Sequence, residues 1–430
     1  MSTRAQLRPL TAGAALAAVV LAGCTTAPGT SPGGRPGAAP PFQLVSFTSC
    51  DEVLGALKSA AKAHVGCDRV SRPEHFSGAT LLTVLSFDLT GNPLDNGDPI
   101  AVAADGETVY SNGRHLYVAT DQRWRMLALT GQGTAPRPDK QVTEIYQFDV
   151  SGPGRPRYVT ATSVPGWLLN QYAMSEWSGH LRVATTSGQL WGDNPTSNSG
   201  IYVFRADGKT LRDTGQVTGL GKGERIYAVR FVGDLGYVVT FRETDPLYPV
   251  DLRDPAAPRV AGELKIPGYS AYLHPLADGR LLGIGQEASM EGTRQGTQIS
   301  LFDVADPARP TRLAQHHVRH GHSEAEHDPH AFLYWPEEQL LVVPLAVYDP
   351  TEMKPRQHPQ TGALVLRVGD SRLTELDWLT HPMPENTGDI DMFPIRRSLV
   401  VDRTLWTVSE AGLQAIDLGT LQPRAWLPLT

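Results

Sequence analysis

The chain has 430 residues, 40% of them apolar and 19% charged, with 38 Lys and Arg against 45 Asp and Glu for a formal charge of −7. That acidic balance, with no long basic run, argues against a nucleic-acid binder and against adsorption to an anionic membrane surface. Beyond the first two dozen residues, no segment is long and apolar enough for a transmembrane helix.

Residues 1–23 read as an export leader. Arg4 and Arg8 form a basic start, and AGAALAAVVLA (12–22) is apolar but too short to span a bilayer. The run ends Leu21-Ala22-Gly23-Cys24, which resembles the bacterial lipobox. That resemblance implies cleavage before Cys24, acylation of its thiol and of the new amino terminus, and a place on the extracytoplasmic face of the cell membrane. Two or more acyl chains anchor firmly, at about 0.8 kcal/mol per buried methylene. The bland reading is a secretory peptide with an incidental cysteine. Losing Arg4 and Arg8 moves the formal charge from −7 to −9. Residues 24–41 then form a tether, because TTAPGTSPGGRPGAAPP (25–41) has no apolar periodicity to offset its ordering entropy.

Residues 42–66 hold the one helical signal. Ser49-Cys50-Asp51-Glu52 reads as a capping box, and Val53, Leu54, Leu57, Ala60 and Ala61 recur at helical spacing, predicting a helix over 50–63. Cys50 and Cys67 remain for an oxidising compartment, which makes a disulfide the default. The predicted helix is roughly 20 Å long, and the four residues after it return only about 14 Å. The α-carbons are thus left near the limit of about 7 Å, and the bridge needs a short or frayed helix.

From 67 to 430 the chain repeats a unit: a strand ending in Thr or Ser, a gap, an apolar strand that often carries Asp, and a turn. HLYVAT (115–120) leads to IYQFDV (145–150), HLRVAT (180–185) to IYVF (201–204), and LGYVVT (235–240) to LYPVDL (247–252). RLLGIG (280–285) leads to ISLFDV (299–304), QLLVVPL (339–345) to ALVLRV (363–368), and TLWTVS (404–409) to LQAIDL (413–418). LLTVLSFDL (81–89) precedes the first unit and AWLPL (425–429) follows the last. A period of about 50 residues with four strand-like runs describes a propeller blade, since one twisted sheet cannot bury its own faces. The expected fold is an all-β propeller of six blades, with seven as the alternative, whose termini share a blade to remove exposed edges. A pair of β-sandwiches is the weaker reading.

Several long runs resemble a secreted β-propeller family of bacteria and archaea, known mainly as a domain of unknown function. They are SVPGWLLNQYAMSEWSGHLRVATT (163–186), ERIYAVRFVGDLGYVVTFRETDPLYPVDLRDPAAPRVAGELKIPGYSAYLHPL (224–276), LLGIGQEA (281–288), SLFDVADPARP (300–310), DPHAFLYWP (328–336) and IRRSLVVDRTLWTVSEAGLQAIDL (395–418), with the helix opening SCDEVLGALK (49–58). The resemblance covers most of 42–429 and implies a propeller and an exported protein, with little chemistry. One departure stands out. The family usually carries a longer region with an acidic motif after the opening helix, whereas here AAKAHVG (60–66) runs almost directly into CDRVSRPEHFSGATLLTV (67–84). This copy is expected to lack one or two blades.

The densest polar segment is HHVRHGHSEAEHDPH (316–330). His322, Glu324, His327 and His330 are its candidate ligands for a divalent metal, beside His316, His317, His320, Glu326 and Asp328. Gly321 and Pro329 disfavour the helix a zincin motif requires, and the bland reading is a solvated loop in which His330 and Asp328 hydrogen-bond. A second set lies within apolar strands: Arg230, Arg242, Asp245, His274, Gln286, Glu287, Arg396 and Arg397. They are candidates for a polar channel, or for structural pairs such as Arg242 with Asp245 and Arg396 or Arg397 with Glu287. Trp124, Trp177, Trp191, Tyr248 and Trp335 read as exposed, and Trp167 and Trp406 as core. There is no nucleophile elbow, and Gly219, Gly221 and Gly223 lack the context of a phosphate-binding loop. The functional expectation is a lipid-anchored module that binds a protein or glycan. The alternative is a metal-assisted hydrolase built on 316–330.

Overall fold

The computed structural model describes residues 16–21, 65, 67–71, 80–88, 97–121, 141–152, 154–190, 196–207, 210–241, 244–289, 293–348, 361–382 and 394–429. Among the described residues nearly every element is a short strand, and the strands form seven sheets. Sheet I joins Leu16–Leu21, Leu82–Asp88, Ile100–Val102 and Val70–Ser71, in that spatial order. Sheet II is Thr108–Ser111, His115–Thr120, Val142–Asp149 and Arg157–Pro165. Sheet III is Met174–Trp177, His180–Ser187, Asn198–Asp207 and Thr210–Leu220.

Sheet IV is Arg225–Val232, Leu235–Phe241 and Thr244–Asp251, its fourth position shared by Arg259–Val260 and Leu264–Pro267. Sheet V is Tyr269–Pro275, Arg280–Ala288, Arg294–Asp303 and Thr311–Arg319. Sheet VI opens with two short runs, Gly321–His322 and Leu333–Trp335, both paired to Leu340–Val347, followed by Thr361–Val368 and Leu373–Leu379. Sheet VII is Arg397–Val401, Thr404–Val408, Gly412–Asp417 and Pro423–Pro428.

The six repeat units of the sequence are the second and third strands of sheets II to VII, and LLTVLSFDL supplies Leu82–Asp88 of sheet I. Among the described residues the sheets therefore number seven, the alternative held beside the favoured six. AWLPL does not join a terminal partner, because Pro423–Pro428 pairs with Gly412–Asp417 and completes its own sheet. The short Asp417–Thr420 turn makes that neighbour the easy one to reach. Leu16–Leu21, expected only as leader, pairs antiparallel with Leu82–Asp88, Leu16 opposite Asp88 and Leu21 opposite Thr83. The predicted helix, Cys24, Cys50, the side chain of Cys67 and Arg242 lie outside the described residues, as do Trp124 and Trp191.

Contacts divide the chain into two units, 1–181 with 204–213, and 182–203 with 214–430. In the first, Leu82, Val84, Ile100 and Val102 of sheet I pack against Leu116, Val118, Tyr146 and Phe148 of sheet II. Glu176 adds a polar tie there. One of its oxygens meets Asn112 Nδ2 at 3.0 Å, His115 Nδ1 at 2.7 Å and Tyr117 Oη at 2.9 Å. In the second, sheets IV and V share a core of Tyr237, Val239, Phe241, Leu247, Leu273, Leu281 and Phe302. Sheets VI and VII share another, of Leu340, Val342, Ala363, Val365, Leu405 and Ile416. In each of these three pairs one sheet buries an apolar face of the next, as repeated sheets require.

The recurrent Asp of the repeat has a local task. Asp149, Asp251 and Asp417 each end a third strand, accept a backbone N–H from the turn that follows, and pair with an arginine in the first two residues of the fourth strand. These are Arg157, Arg259 and Arg424. The register between third and fourth strands also shifts just upstream, at Gln147/Phe148, Leu301/Phe302, Val365/Leu366 and Ala415/Ile416. A bulge at one place in four sheets sharpens the twist each sheet needs to pack on its neighbour.

Candidate functional site

The 316–330 segment leaves the last strand of sheet V and enters sheet VI as two single-turn helices. Ser323 caps the first, Glu324–Glu326: its Oγ accepts from Ala325 N, and Glu326 Oε1 accepts from Ser323 N at 3.0 Å. Asp328 caps the second, Pro329–Ala331, accepting from His330 N. Both caps satisfy donors that so short a turn leaves open.

The caps fix where the acidic groups face. Glu326 turns inward, where Gln286 Nε2 donates to it at 2.7 Å and Thr297 Oγ1 at 3.1 Å; burial raises its pKa against these hydrogen bonds. Glu324 and Asp328 turn toward sheet VII. Arg397 bridges them, at 3.0 Å from Glu324 and in a close contact with Asp328. Arg396 reaches Glu324 at 3.3 Å and Glu410 at 3.6 Å. His330 Nδ1 lies 2.8 Å from Asp328, with its side chain 74% exposed. His322 and His327 are exposed, His316 lies 3.4 Å from Glu375, and His317 Nε2 lies 3.3 Å from Gln295 O. Among the described residues, no three His, Cys, Asp or Glu side chains are placed to hold one metal ion.

Next to this rim lies an aromatic cluster from the first strands of sheets V and VI and from Phe332 just before the latter, with Arg230 of sheet IV beside it. His274 Nδ1 is 3.3 Å from Tyr272 Oη, and its ring lies 5.2 Å from Phe332 and 5.7 Å from Tyr334. Arg230 stands 6.0 Å from the Tyr272 ring. Burial, with Arg230 beside it, pushes the His274 pKa down to about 4, so its imidazole is neutral at pH 7. It is an apolar-flanked hydrogen-bonding group rather than a cation.

The two sets named from sequence thus meet in part. Arg396 and Arg397 join the 316–330 segment, and Arg230 and His274 join the aromatic cluster. Glu287 belongs to neither: it accepts from its neighbour Ala288 N and from Gln315, so Arg396 and Arg397 pair with Glu324 and Asp328 instead of with Glu287. Asp245 lies opposite Ile266 in sheet IV. His330 with Asp328 is the pair expected. Trp177 is exposed, whereas Trp335 packs against the core of sheets VI and VII and Tyr248 is half-buried. Tyr272, Phe332 and Tyr334 carry no sequence signal of their own. Ser323-x-x-Glu326, in contrast, is a legible capping box that marks Glu326 as inward-facing.

The match to known proteins covers nearly the whole chain. The model of the beta propeller domain family matches residues 43–421. An uncharacterized protein of Methanocaldococcus jannaschii is 44% identical over 259 residues, 60% of this chain and 36% of the relative. One from Archaeoglobus fulgidus is 41% identical over 182 residues, 42% of this chain and 27% of the relative. The chain thus spans about a third of the length of the curated relatives it matches. Among solved structures, the periplasmic gluconolactonase of Pseudomonas aeruginosa has a TM-score of 0.45 at 14% identity, over 80% of this chain and 91% of that one. Apo AztD of Citrobacter koseri also has a TM-score of 0.45 at 14% identity, over 84% and 85%. By the family match over 43–421, this chain belongs to the β-propeller domain family.

Proposed function

We propose that the protein is a binding module held on the extracytoplasmic face of the membrane through acylated Cys24, with the rim at 322–330 and 396–397 presented to a protein or glycan. The observation that carries this reading is the tying of Glu324 and Asp328 to Arg396 and Arg397 across two sheets. A segment clamped in this way needs little ordering on binding, which favours recognition. The same ion pairs commit the carboxylates that a metal-assisted hydrolase would need. His330, paired with Asp328 of the clamp, and Tyr348, whose N–H donates to His320 O at 3.1 Å and whose exposure is 65%, are the contact groups.

The test presents the full-length protein, expressed in a bacterial host, to arrays of cell-surface glycans and envelope proteins. A ligand retained by the wild type is expected to bind about tenfold more weakly to the His330→Ala/Tyr348→Ala variant. Cys24→Ser is expected to leave binding intact and release the protein from the membrane fraction. Binding unchanged in the rim variant would overturn the rim, and membrane retention of Cys24→Ser would overturn the anchor.

A further inference from the structure

A cleft of about 530 Å³ opens in the second unit between the start of Asn198–Asp207 and the loop after Thr210–Leu220. Its lining is Thr196, Ser197, Asn198, Thr218, Lys222 and the glycines at 219 and 223. That volume suits a small molecule. The loop is pinned to residues 197–198 at both ends: Gly219 N donates to the side-chain Oδ1 of Asn198 at 2.8 Å, and Gly223 N donates to the backbone O of Ser197 at 2.9 Å. Gly219, Gly221 and Gly223 all have positive φ, at 89°, 53° and 79°. A side chain is strained there, and at Gly221 a Cβ would also clash with Thr240 Oγ1. The glycines that make no phosphate-binding motif in the sequence instead fold a tight loop carrying Lys222.

The chemistry of the lining is one-sided. Among the described residues it contains one cation and no carboxylate. Asn198 uses its carbonyl oxygen on Gly219 N, which leaves its NH₂ to donate. Thr196 Oγ1 accepts from Gln189 N at 3.3 Å, which leaves its O–H to donate. Glu224, next along the loop, is engaged by Thr240. Ser197 is 2% exposed, and its hydroxyl has no hydrogen-bond partner among the described residues. A buried hydroxyl left without a partner is destabilising, and beside a cleft it marks a place where a ligand atom completes the set.

We propose that this cleft binds a small organic anion, whose carboxylate or phosphate oxygens accept from Lys222, Asn198 and the hydroxyls of Thr196, Ser197 and Thr218. The site is separate from the rim and does not rest on the rim's role. Phosphate and carboxylate share this chemistry, so both serve as probes.

The test is calorimetric titration of the full-length protein with inorganic phosphate and, separately, with glucuronate at constant ionic strength. Saturable one-site binding of either is expected, and the probe that binds names the headgroup. Lys222→Met is expected to weaken it about tenfold or more, while Lys222→Arg keeps most of the affinity. Ser197→Ala is expected to weaken binding several-fold while leaving the protein as stable as the wild type or more so, a split that a purely structural serine would not give. Saturation by neither probe up to about 10 mM, a weaker range than most specific sites show, would overturn the proposal. So would a Lys222→Met variant that binds as the wild type does.

Discussion

At Glu326 the fold buries a carboxylate and surrounds one oxygen with donors from Gln286, Thr297 and Ser323. Burial still wins, so its pKa stands above the ordinary 4.5. For a carboxyl raised in this way, the folded state holds its proton longer than the unfolded chain. The resulting stability is present below pH 4.5 and is lost as pH rises through the raised value. Glu326→Gln keeps an acceptor oxygen for the same three donors and removes the charge. In chemical denaturation at pH 7 it is therefore expected to match or exceed the wild type. A loss of more than about 1 kcal/mol would show that the ionised form carries a needed interaction.

Among the elements, the turn that ends each third strand does most to make the sheets alike. Asp251 takes Arg253 N at 3.1 Å, Arg253 Nη2 at 2.7 Å and Arg259 Nη2 at 2.8 Å, so one side chain holds the turn and the next strand. Asp251→Ala is expected to cost about 2 kcal/mol, because several donors lose their acceptor together. Arg259→Ala is expected to cost less than about 1 kcal/mol, since that guanidinium is 71% exposed. Equal costs, read from urea midpoints, would contradict this division of labour.

These elements were legible in the chain because the Thr-ended strands and the Asp strands repeat, and period-2 burial leaves its mark on composition. The site was legible only in part. Arg396 and Arg397 were visible as charges within an apolar run, but their partners lie some seventy residues away, and sequence spacing says nothing of that distance. The Ser197 cleft was illegible for the opposite reason. Its residues are ordinary turn formers, and only the fold brings 196–198 beside 218–223.

For the molecule as a whole, the ionisable groups set a pH range. Burial pushes the His274 and His381 pKa values down to about 4. The unfolded chain takes up those protons near 6.5, so stability is full above pH 6.5 and falls as pH drops toward 4. Asp149, held to about 2 by its Ser151 hydrogen bonds and Arg157, extends the loss below the ordinary 3.8. Asp417 does the same through Thr420 and Arg424. Imidazole proton NMR is expected to show two histidines titrating near pH 4. Titration of every histidine near 6.5 would contradict the buried placements.

The central claim is that the 316–330 segment is a clamped recognition rim. Elemental mass spectrometry of the full-length protein, purified without chelator or nickel, tests this most directly. The account predicts less than about a tenth of an equivalent of any transition metal per chain. About one equivalent, lost in the His322→Ala/His327→Ala variant while the fold is kept, would contradict it and make the segment a metal centre.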